Sequence, residues 1–388
     1  MHGFKAKQIP ALDGLRGLAI LLVITHHQLI PLSLKGGFLG VDLFFVLSGF
    51  LITSLLLKEF TATRSIALTK FYMRRALRLG PALLLYLIVS LVVTDLLHPE
   101  ELTRGLKLVG LALVYLTNWR LALGWDYSLD PTSIIWSLSI EEQFYLLWPP
   151  AFLACLLVKL KHSHIAAGLA FVIFAVFLHR YSLWSHGAEL NRLYYGTDTR
   201  ADAPLVGCLV AMISGWKREE TRRTVLKIGA VLASGMLVWL IATAEFTDSF
   251  LYKGGYTFIA LLAGVLIWSL ANSSSGFLAW ILDWYPLRWF GKISYGLYLW
   301  HWLLLKTTSF YFIGGAWDPW VRFLVALAVS AASFYLFETP FNKLKSKFTY
   351  SPSPSPRFGL ANPSNLPDGS PIVTPFAQTA AIQQSQNI

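Results

Sequence analysis

The sequence divides into many apolar blocks separated by short polar segments, and each block is roughly 17–20 residues long. A helix of this length crosses the hydrocarbon core of a bilayer with its backbone hydrogen bonds satisfied internally. Only 14% of the 388 residues are charged, which is too few to cover the surface of a water-soluble domain of this size. The sequence therefore predicts an all-α fold, a polytopic bundle of membrane helices.

The basic residues fall in short clusters between the apolar blocks, a pattern that sets the orientation of a membrane protein. The clusters within 58–79 and 343–347 are both predicted to be cytoplasmic. Both clusters can lie on the cytoplasmic side only if one candidate span does not cross the membrane. The shortest candidate, 106–119, is therefore predicted to be re-entrant or interfacial. About ten crossings with both termini in the cytoplasm follow from this reasoning. The candidate spans are 11–30, 38–57, 81–97, 106–119, 140–158, 165–183, 201–216, 225–244, 256–271, 293–312 and 321–337.

Other features narrow the class of protein. The net charge of +11 does not indicate nucleic-acid binding, because the basic residues mark membrane orientation. Cys155 and Cys208 lie inside apolar blocks and are predicted to be buried thiols, and no metal-ligand pattern is present. The first block lacks a small-residue cleavage site, so we expect it to be retained as a helix. The Ser-, Pro-, Asn- and Gln-rich segment 349–388 is predicted to be a disordered cytoplasmic tail after a membrane domain at 1–348.

The first block carries ionisable side chains, which in a membrane are functional candidates. His27 follows Arg16 by eleven positions, a rotation of about 20° beyond full helical turns, so the two side chains share one face. Asp13 falls within about 60° of Arg16, and a rise of about 16 Å separates Arg16 from His27. His27 is predicted to be functional. Asp13 and Arg16 are predicted to belong to the same polar stripe, and a purely interfacial position is the alternative for these two residues.

Two further blocks carry charged residues at their ends. Asp42 enters the second span on the side where His27 leaves the first, and a carboxylate there could fix the tautomer of the imidazole. A simple helix cap is the alternative. Arg74, Arg75 and Arg78 lie on the predicted cytoplasmic side, and guanidinium groups bind phosphate in a bidentate manner. Such a cluster is also a common signal of topology.

The block 140–158 begins with paired carboxylates on the predicted outer side. Neighbouring residues on a helix point about 100° apart, so only one of Glu141 and Glu142 can readily face the interior. Solvated glutamates at the start of a helix are the alternative. Tyr145 and its aromatic neighbour follow and are predicted to form a lip that binds a polar ring.

Two later blocks carry further polar clusters. One cluster lies at the mouth of the span 201–216, and the other is buried within 293–312. A lone buried histidine bonded to tyrosine is more often structural than catalytic, so both roles stay open for the histidine of the second cluster. The residues of the two clusters are Asp198, Arg200, Asp202, Tyr295, Tyr298 and His301.

Taken together, these blocks resemble the acyltransferase 3 family, the multi-pass membrane acyltransferases that modify carbohydrates. The resemblance covers about residues 9–345 and rests on motifs that occur in the family's order. The motifs as they stand in this sequence are LDGLRGLAILLVITHH, GVDLFFVLSGF, RRALRLGP, WSLSIEEQFYLLWP, DTRADAPLVGCLVA and ISYGLYLWH.

The resemblance implies transfer of an acyl group, commonly acetyl, from cytoplasmic acyl-coenzyme A (acyl-CoA) to a hydroxyl outside the cytoplasmic membrane. The acceptor would be a glycan or a lipid-linked saccharide, and no metal is implied. His27, Asp42 and Glu141 would be catalytic. The residues expected to bind the donor are Arg16, Arg74, Arg75 and Arg78. Those expected to support the acceptor or the structure are Asp13, Glu142, Tyr145 and the two later clusters.

Two versions of the chemistry stay open. Neutral His27 either takes the proton of the attacking hydroxyl, with Asp42 or Glu141 orienting the ring, or accepts the acyl group itself. The exact acyl group and the acceptor, for example O-antigen of lipopolysaccharide, exopolysaccharide or peptidoglycan, are not fixed by the sequence. Some family members carry a fused extracellular hydrolase-like domain that this sequence does not contain, so we expect no second activity on the sugar.

A transporter or flippase with an intramembrane proton relay is the alternative function. The polar groups gather at helix ends and no internal repeat is evident, which favours the acyltransferase. A membrane sensor with a degenerate site is less favoured still, because every predicted catalytic position is occupied.

Overall fold

A computed structural model describes residues 9–28, 34–126, 130–214, 220–272, 276–307 and 318–348. These residues form α-helices joined by short loops and by 3-10 or π turns, with no strand among them, which confirms the all-α prediction. The predicted tail, 349–388, lies outside the described residues. In chain order the helices are α1 (Pro10–His26), α2 (Gly40–Thr63), α3 (Leu68–Leu97), α4 (Leu102–Leu113), α5 (Thr117–Ala122), α6 (Trp136–Leu157), α7 (His162–Ser185), α8 (Leu190–Tyr195), α9 (Thr197–Arg200), α10 (Asp202–Ser214), α11 (Glu220–Thr243), α12 (Tyr256–Asn272), α13 (Phe277–Leu282), α14 (Tyr285–Thr307), α15 (Asp318–Ala332) and α16 (Thr339–Leu344).

Among the described residues, six helical segments are long and apolar enough to cross a bilayer. The chain is therefore a multi-pass membrane protein, as the apolar blocks predict. The number of crossings stays a prediction, because α1, α6, α10 and α14 cover predicted spans but do not belong to this set. The six segments are Lys35–Thr63, Leu68–Leu97, His162–Ser185, Thr224–Thr243, Leu251–Asn272 and Asp318–Phe348.

Two boundaries differ from the sequence prediction. The segment 58–79 is not a linker, because α2 continues to Thr63 and α3 begins at Leu68, with Pro81 inside the helix. The basic cluster therefore lies on helix α3 itself. The predicted span 106–119 is divided between α4, which has 12 residues, and α5, which has 6. Each is shorter than the roughly 20 residues that a crossing requires, in line with the prediction that this segment does not cross.

Helices α1 and α14 pack against each other at very short range. A methyl group added at Gly17 would collide with the backbone carbonyl of Leu287, and one added at Gly291 would collide with that of Asp13. Small residues permit this approach of two backbones within a membrane. The packing brings Nη2 of Arg16 to 3.2 Å from Oγ of Ser294.

Helices α3 and α14 run in the same direction. The hydroxyl of Tyr295 on α14 donates to the carbonyl of Leu79 on α3 at 3.0 Å, and further along both helices the rings of Tyr86 and Trp300 meet at 5.7 Å. The N-terminal half of α3 and the first half of α14 therefore share one end of the bundle. Their C-terminal turns share the other end.

Candidate active site

A cavity of about 450 Å³ lies among α1, α2, α3, α6 and α14. All four residues that were predicted to bind the donor line it, although they come from two separate helices: Arg16, Arg74, Arg75 and Arg78. Most of the remaining wall is apolar and comes largely from α2. We call this space the arginine cavity.

Two of the four arginines are neutralised within the protein. Arg74 forms an ion pair with Glu59 at 3.2 Å. Arg75 forms one with Glu142 at 3.2 Å, and its guanidinium lies 3.2 Å from the centre of the Tyr145 ring. These contacts fix the two side chains against the wall of the cavity, since a paired and stacked guanidinium has little rotational freedom.

The other two arginines differ. Within the described ranges, neither Arg16 nor Arg78 has a carboxylate within ion-pair distance; the one hydrogen bond of Arg16 goes to Ser294, a neutral side chain. Both line the cavity. Arg16 is half-buried and Arg78 is exposed, so both guanidinium groups are accessible to an anion that enters this cavity.

Glu141 lies in the arginine cavity and not beside His27, contrary to the prediction. Its carboxylate accepts a hydrogen bond from Ser48 at 2.7 Å, and Ser48 is also hydrogen-bonded to the hydroxyl of Tyr145. Tyr295 and Tyr298 line the same cavity. The residues expected at the acceptor side are therefore partly mixed with those expected at the donor side.

The structure gives His27 a different partner from the carboxylates that the sequence suggested. Nδ1 of His27 lies 2.9 Å from Nε2 of His301, and the two rings stack with their centres 5.2 Å apart. Nδ1 of His301 lies 2.8 Å from the carbonyl oxygen of Leu297, which can only accept a hydrogen bond. With both rings neutral, Nδ1–H of His27 donates a hydrogen bond to Nε2 of His301, and Nε2 of His27 keeps its lone pair.

This geometry agrees with the comparison with known families. The family model described as an acyltransferase domain, acyltransferase 3, matches residues 9–339. The chain belongs to the acyltransferase 3 family. The match covers α1 to the start of α16 and so includes every side chain of the arginine cavity except Lys345.

Relatives of this acyltransferase 3 chain are known by name. It is 35% identical over 359 residues to the peptidoglycan O-acetyltransferase OatA of Listeria monocytogenes, which covers 88% of this chain and 57% of the relative. It is 34% identical over 371 residues to the O-acetyltransferase OatA of Staphylococcus aureus, covering 92% of this chain and 61% of the relative. The chain thus spans little more than half the length of these relatives. No solved structure matches it.

Asp42 is placed differently from the prediction for this acyltransferase 3 chain. It forms a fully buried ion pair with Arg200 at 2.9 Å, and Arg200 in turn stacks on the ring of Tyr256 at 3.8 Å. Among the described residues, the ion-pair partner of Asp42 is Arg200, and the hydrogen-bond partner of His27 is His301. The pair lies where α2 meets α9 and α10, which gives it the position of a structural link between helices.

The remaining predicted residues lie away from the arginine cavity. Asp202 forms a buried ion pair with Arg180 at 2.9 Å. Asp198 is held by Arg192 and His179. Burial opposes the ionisation of Asp198, but these two hydrogen bonds outweigh it, so the pKa of Asp198 lies below its usual value. Asp13 lies on α1 one turn before Arg16 and does not line the cavity.

Three residues of this region were not identified from the sequence. Ser48 bridges Glu141 and Tyr145, Lys345 lines the arginine cavity, and the ring of Trp302 lies 4.8 Å from that of His27. Lys345 was interpreted only as a signal of topology. A serine and a tryptophan inside apolar motifs carry no pattern that distinguishes them from packing residues.

Proposed function

We propose that this chain is an integral-membrane O-acyltransferase of the cytoplasmic (inner) membrane, with both termini in the cytoplasm. It would take an acyl group, acetyl above all, from cytoplasmic acyl-CoA and transfer it to a hydroxyl of an extracytoplasmic glycan. The observation that carries the proposal is the pair of cavity-lining guanidinium groups, Arg16 and Arg78, that have no carboxylate partner among the described residues.

The arginine cavity has the chemistry that a coenzyme A ester requires. The phosphates of the coenzyme would pair with Arg16 and Arg78, because guanidinium groups match phosphate geometry. The apolar wall from α2 would accommodate the acyl chain and the uncharged arm of the donor. Arg74 and Arg75, which are already paired with Glu59 and Glu142, would shape the wall of the cavity and leave the charge of the donor to Arg16 and Arg78.

His27 is the residue that we propose for the acyl-transfer step. About 16 Å of helix separates it from Arg16, a distance that the long arm of the donor would have to cover. The hydroxyl oxygen of the acceptor would attack the thioester carbonyl while its proton passes to Nε2 of His27. The C–S bond would then break, and the leaving coenzyme thiolate would take this proton from His27, which returns to its neutral form. General-base assistance of this kind typically contributes about 10²–10⁴-fold. Transient acylation of His27 is the second version, and trapping acylated protein with donor alone distinguishes the two.

The acceptor that we propose is a cell-wall glycan. The names of the relatives, one of which is a peptidoglycan O-acetyltransferase, favour peptidoglycan over the other glycans that the sequence leaves open. Because the chain covers 57% of that relative, this assignment rests on the shared membrane part alone. No feature of the described residues favours a transporter.

The test uses the purified full chain in lipid nanodiscs and measures the binding of acetyl-CoA. We expect Arg78→Gln to weaken binding by about tenfold or more, because a charge-assisted hydrogen bond is lost. Arg64→Gln is the matched control, since Arg64 is an exposed arginine between α2 and α3 that does not line the cavity. Equal affinity in the wild type and Arg78→Gln would overturn the donor site. Failure of labelled acetyl to reach added glycan in the wild type would overturn the activity.

A further inference from the structure

A second cavity, of about 460 Å³, lies at the opposite end of α3 and α14 from the arginine cavity. It is lined by the last turns of α3, by α4 and by the turn that precedes α6, and α14 contributes Lys306. About 24 Å of helix separates Arg78, in the first cavity, from Thr94, in the second. We call this space the lysine cavity.

The charged side chains of the lysine cavity differ in whether they have an ion-pair partner. Arg104 pairs with Asp126 at 2.7 Å, and Asp130 pairs with Arg120 at 2.7 Å, so these groups are satisfied within the protein. Lys306 has no carboxylate within 4 Å in the part of the chain that the structure describes; its ammonium group lies 4.6 Å from the centre of the Trp302 ring. The lysine cavity therefore offers one cation to an anionic ligand.

The lysine cavity is joined to His27 through a single indole ring. Trp302 contacts the ring of His27 at 4.8 Å and lies beneath the ammonium group of Lys306 at 4.6 Å. Its Nε1 donates to the carbonyl of Asp130, which lines the cavity, at 3.0 Å. A ligand whose anionic group pairs with Lys306 would thus lie next to the indole ring that contacts His27.

The polar atoms of the wall suit a saccharide. Thr94 and Thr132 place hydroxyl groups on the wall, and the carboxylate of Asp130 accepts hydrogen bonds. Each of these oxygens already has a partner inside the protein but keeps a lone pair that can accept a hydrogen bond from a sugar hydroxyl.

We propose that the lysine cavity binds the acceptor as an anionic saccharide whose carboxylate pairs with Lys306, beside the Trp302 ring that contacts His27. This inference rests on the proposed acyltransferase function and adds to it the place and the charge of the acceptor. Donor and acceptor then occupy opposite ends of α3 and α14, and His27 lies on the path between them.

The experiment measures binding of two probes to the purified full chain in nanodiscs of neutral lipid. The first probe is an oligosaccharide of alternating N-acetylglucosamine and N-acetylmuramic acid, which carries carboxylates, and the second is its neutral methyl ester. We expect the acid to bind about tenfold more tightly than the ester, as is typical for one charge-assisted contact. Lys306→Met should abolish this difference, and Lys306→Arg should retain it.

A matched control is provided by Lys253, whose ammonium group lies 4.3 Å from the centre of the Trp184 ring and which lines neither cavity. Lys253→Met should leave both affinities unchanged. Equal binding of the acid and the ester, or an unchanged preference in Lys306→Met, would overturn the inference. Lys306-dependent binding of glycerol phosphate without binding of the oligosaccharide would also overturn it and assign the cavity to a lipid headgroup.

The same preparations separate this inference from the proposed function. If acetyl-CoA binds and the oligosaccharide does not, the acceptor site is wrong and the donor site stands. If the oligosaccharide binds through Lys306 and acetyl-CoA does not bind, the donor site is wrong and the lysine cavity remains a saccharide site.

Discussion

Nδ1 of His27 lies 2.9 Å from Nε2 of His301, although 274 positions separate the two residues in the chain. The carbonyl of Leu297 fixes the proton of His301 on its Nδ1, at 2.8 Å. With neutral rings the hydrogen bonds then run in one direction, from His27 to His301 to the backbone. Nε2 of His27 is left as the base, so His301 has the role of a positioning residue.

This relationship predicts how substitutions at the two histidines differ. His27→Ala should lower kcat for acyl transfer by about 10²–10⁴-fold, because the base is lost. His301→Ala should lower kcat by about tenfold, because one orienting hydrogen bond is lost, and leave KM for the donor unchanged. His301→Gln should restore part of kcat, since the glutamine amide oxygen can accept the same hydrogen bond from His27.

The measurement is steady-state transfer of labelled acetyl to glycan by the reconstituted chain, at varied donor concentration. A rise in donor KM with unchanged kcat in His301→Ala would contradict the positioning role. An active His27→Ala variant would remove His27 from the mechanism in both of its versions.

Part of the site could be predicted from the sequence because it depends on local helical geometry. The eleven-residue spacing predicts that Arg16 and His27 share one face, and the structure places Arg16, on α1, and His27, directly after the last residue of α1, both against α14. The partner of His27 could not be found in this way, because the contact joins α1 to α14. Several carboxylates were available, and only the three-dimensional packing decides that His301 is nearest.

The same limit applies to the fold. Hydropathy predicts where apolar helices lie, and α7 (His162–Ser185) agrees with the predicted span 165–183 within a few residues. It does not show where a helix continues through polar residues, as α3 does from Leu68 to Pro81. The arginines that looked like a cytoplasmic linker are therefore held rigidly on a helix, where they can line a cavity.

The buried ion pair between Asp42 and Arg200 predicts that substitutions at these positions mainly lower the stability of the protein. Both side chains are 1% exposed. Asp42→Asn leaves an uncompensated guanidinium in the interior, which typically costs about 3–5 kcal/mol. Removal of Arg200 in the same chain, as Asp42→Asn with Arg200→Gln, should recover part of the loss because no buried charge is left unpaired. Thermal unfolding of the purified protein in detergent measures this.

The control for this prediction is the ion pair between Lys35 and Glu245, whose side chains are 57% and 52% exposed. Glu245→Gln should leave the unfolding temperature unchanged, because exposed pairs are screened by water. A stable but inactive Asp42→Asn variant would show instead that Asp42 acts in the chemistry, as the sequence suggested.

The close packing of α1 on α14 predicts a coupled loss of stability and activity. Gly291→Ala places a methyl group against the carbonyl of Asp13, and Gly17→Ala places one against that of Leu287. Backbone atoms cannot rotate away as a side chain does, so the helices must separate. Overpacking of this kind typically costs about 1–3 kcal/mol.

Separation of α1 from α14 also acts on the site, because the bond from His27 to His301 joins the same two helices. Each glycine variant should therefore lower both the unfolding temperature and kcat. Gly168→Ala on α7 is the matched control: no atom lies within 4 Å of the added methyl group, and alanine is the better helix former. That variant should be as stable as the wild type or slightly more stable, with unchanged kcat. A Gly291→Ala chain that loses stability but keeps full kcat would show that the histidine pair does not depend on this contact.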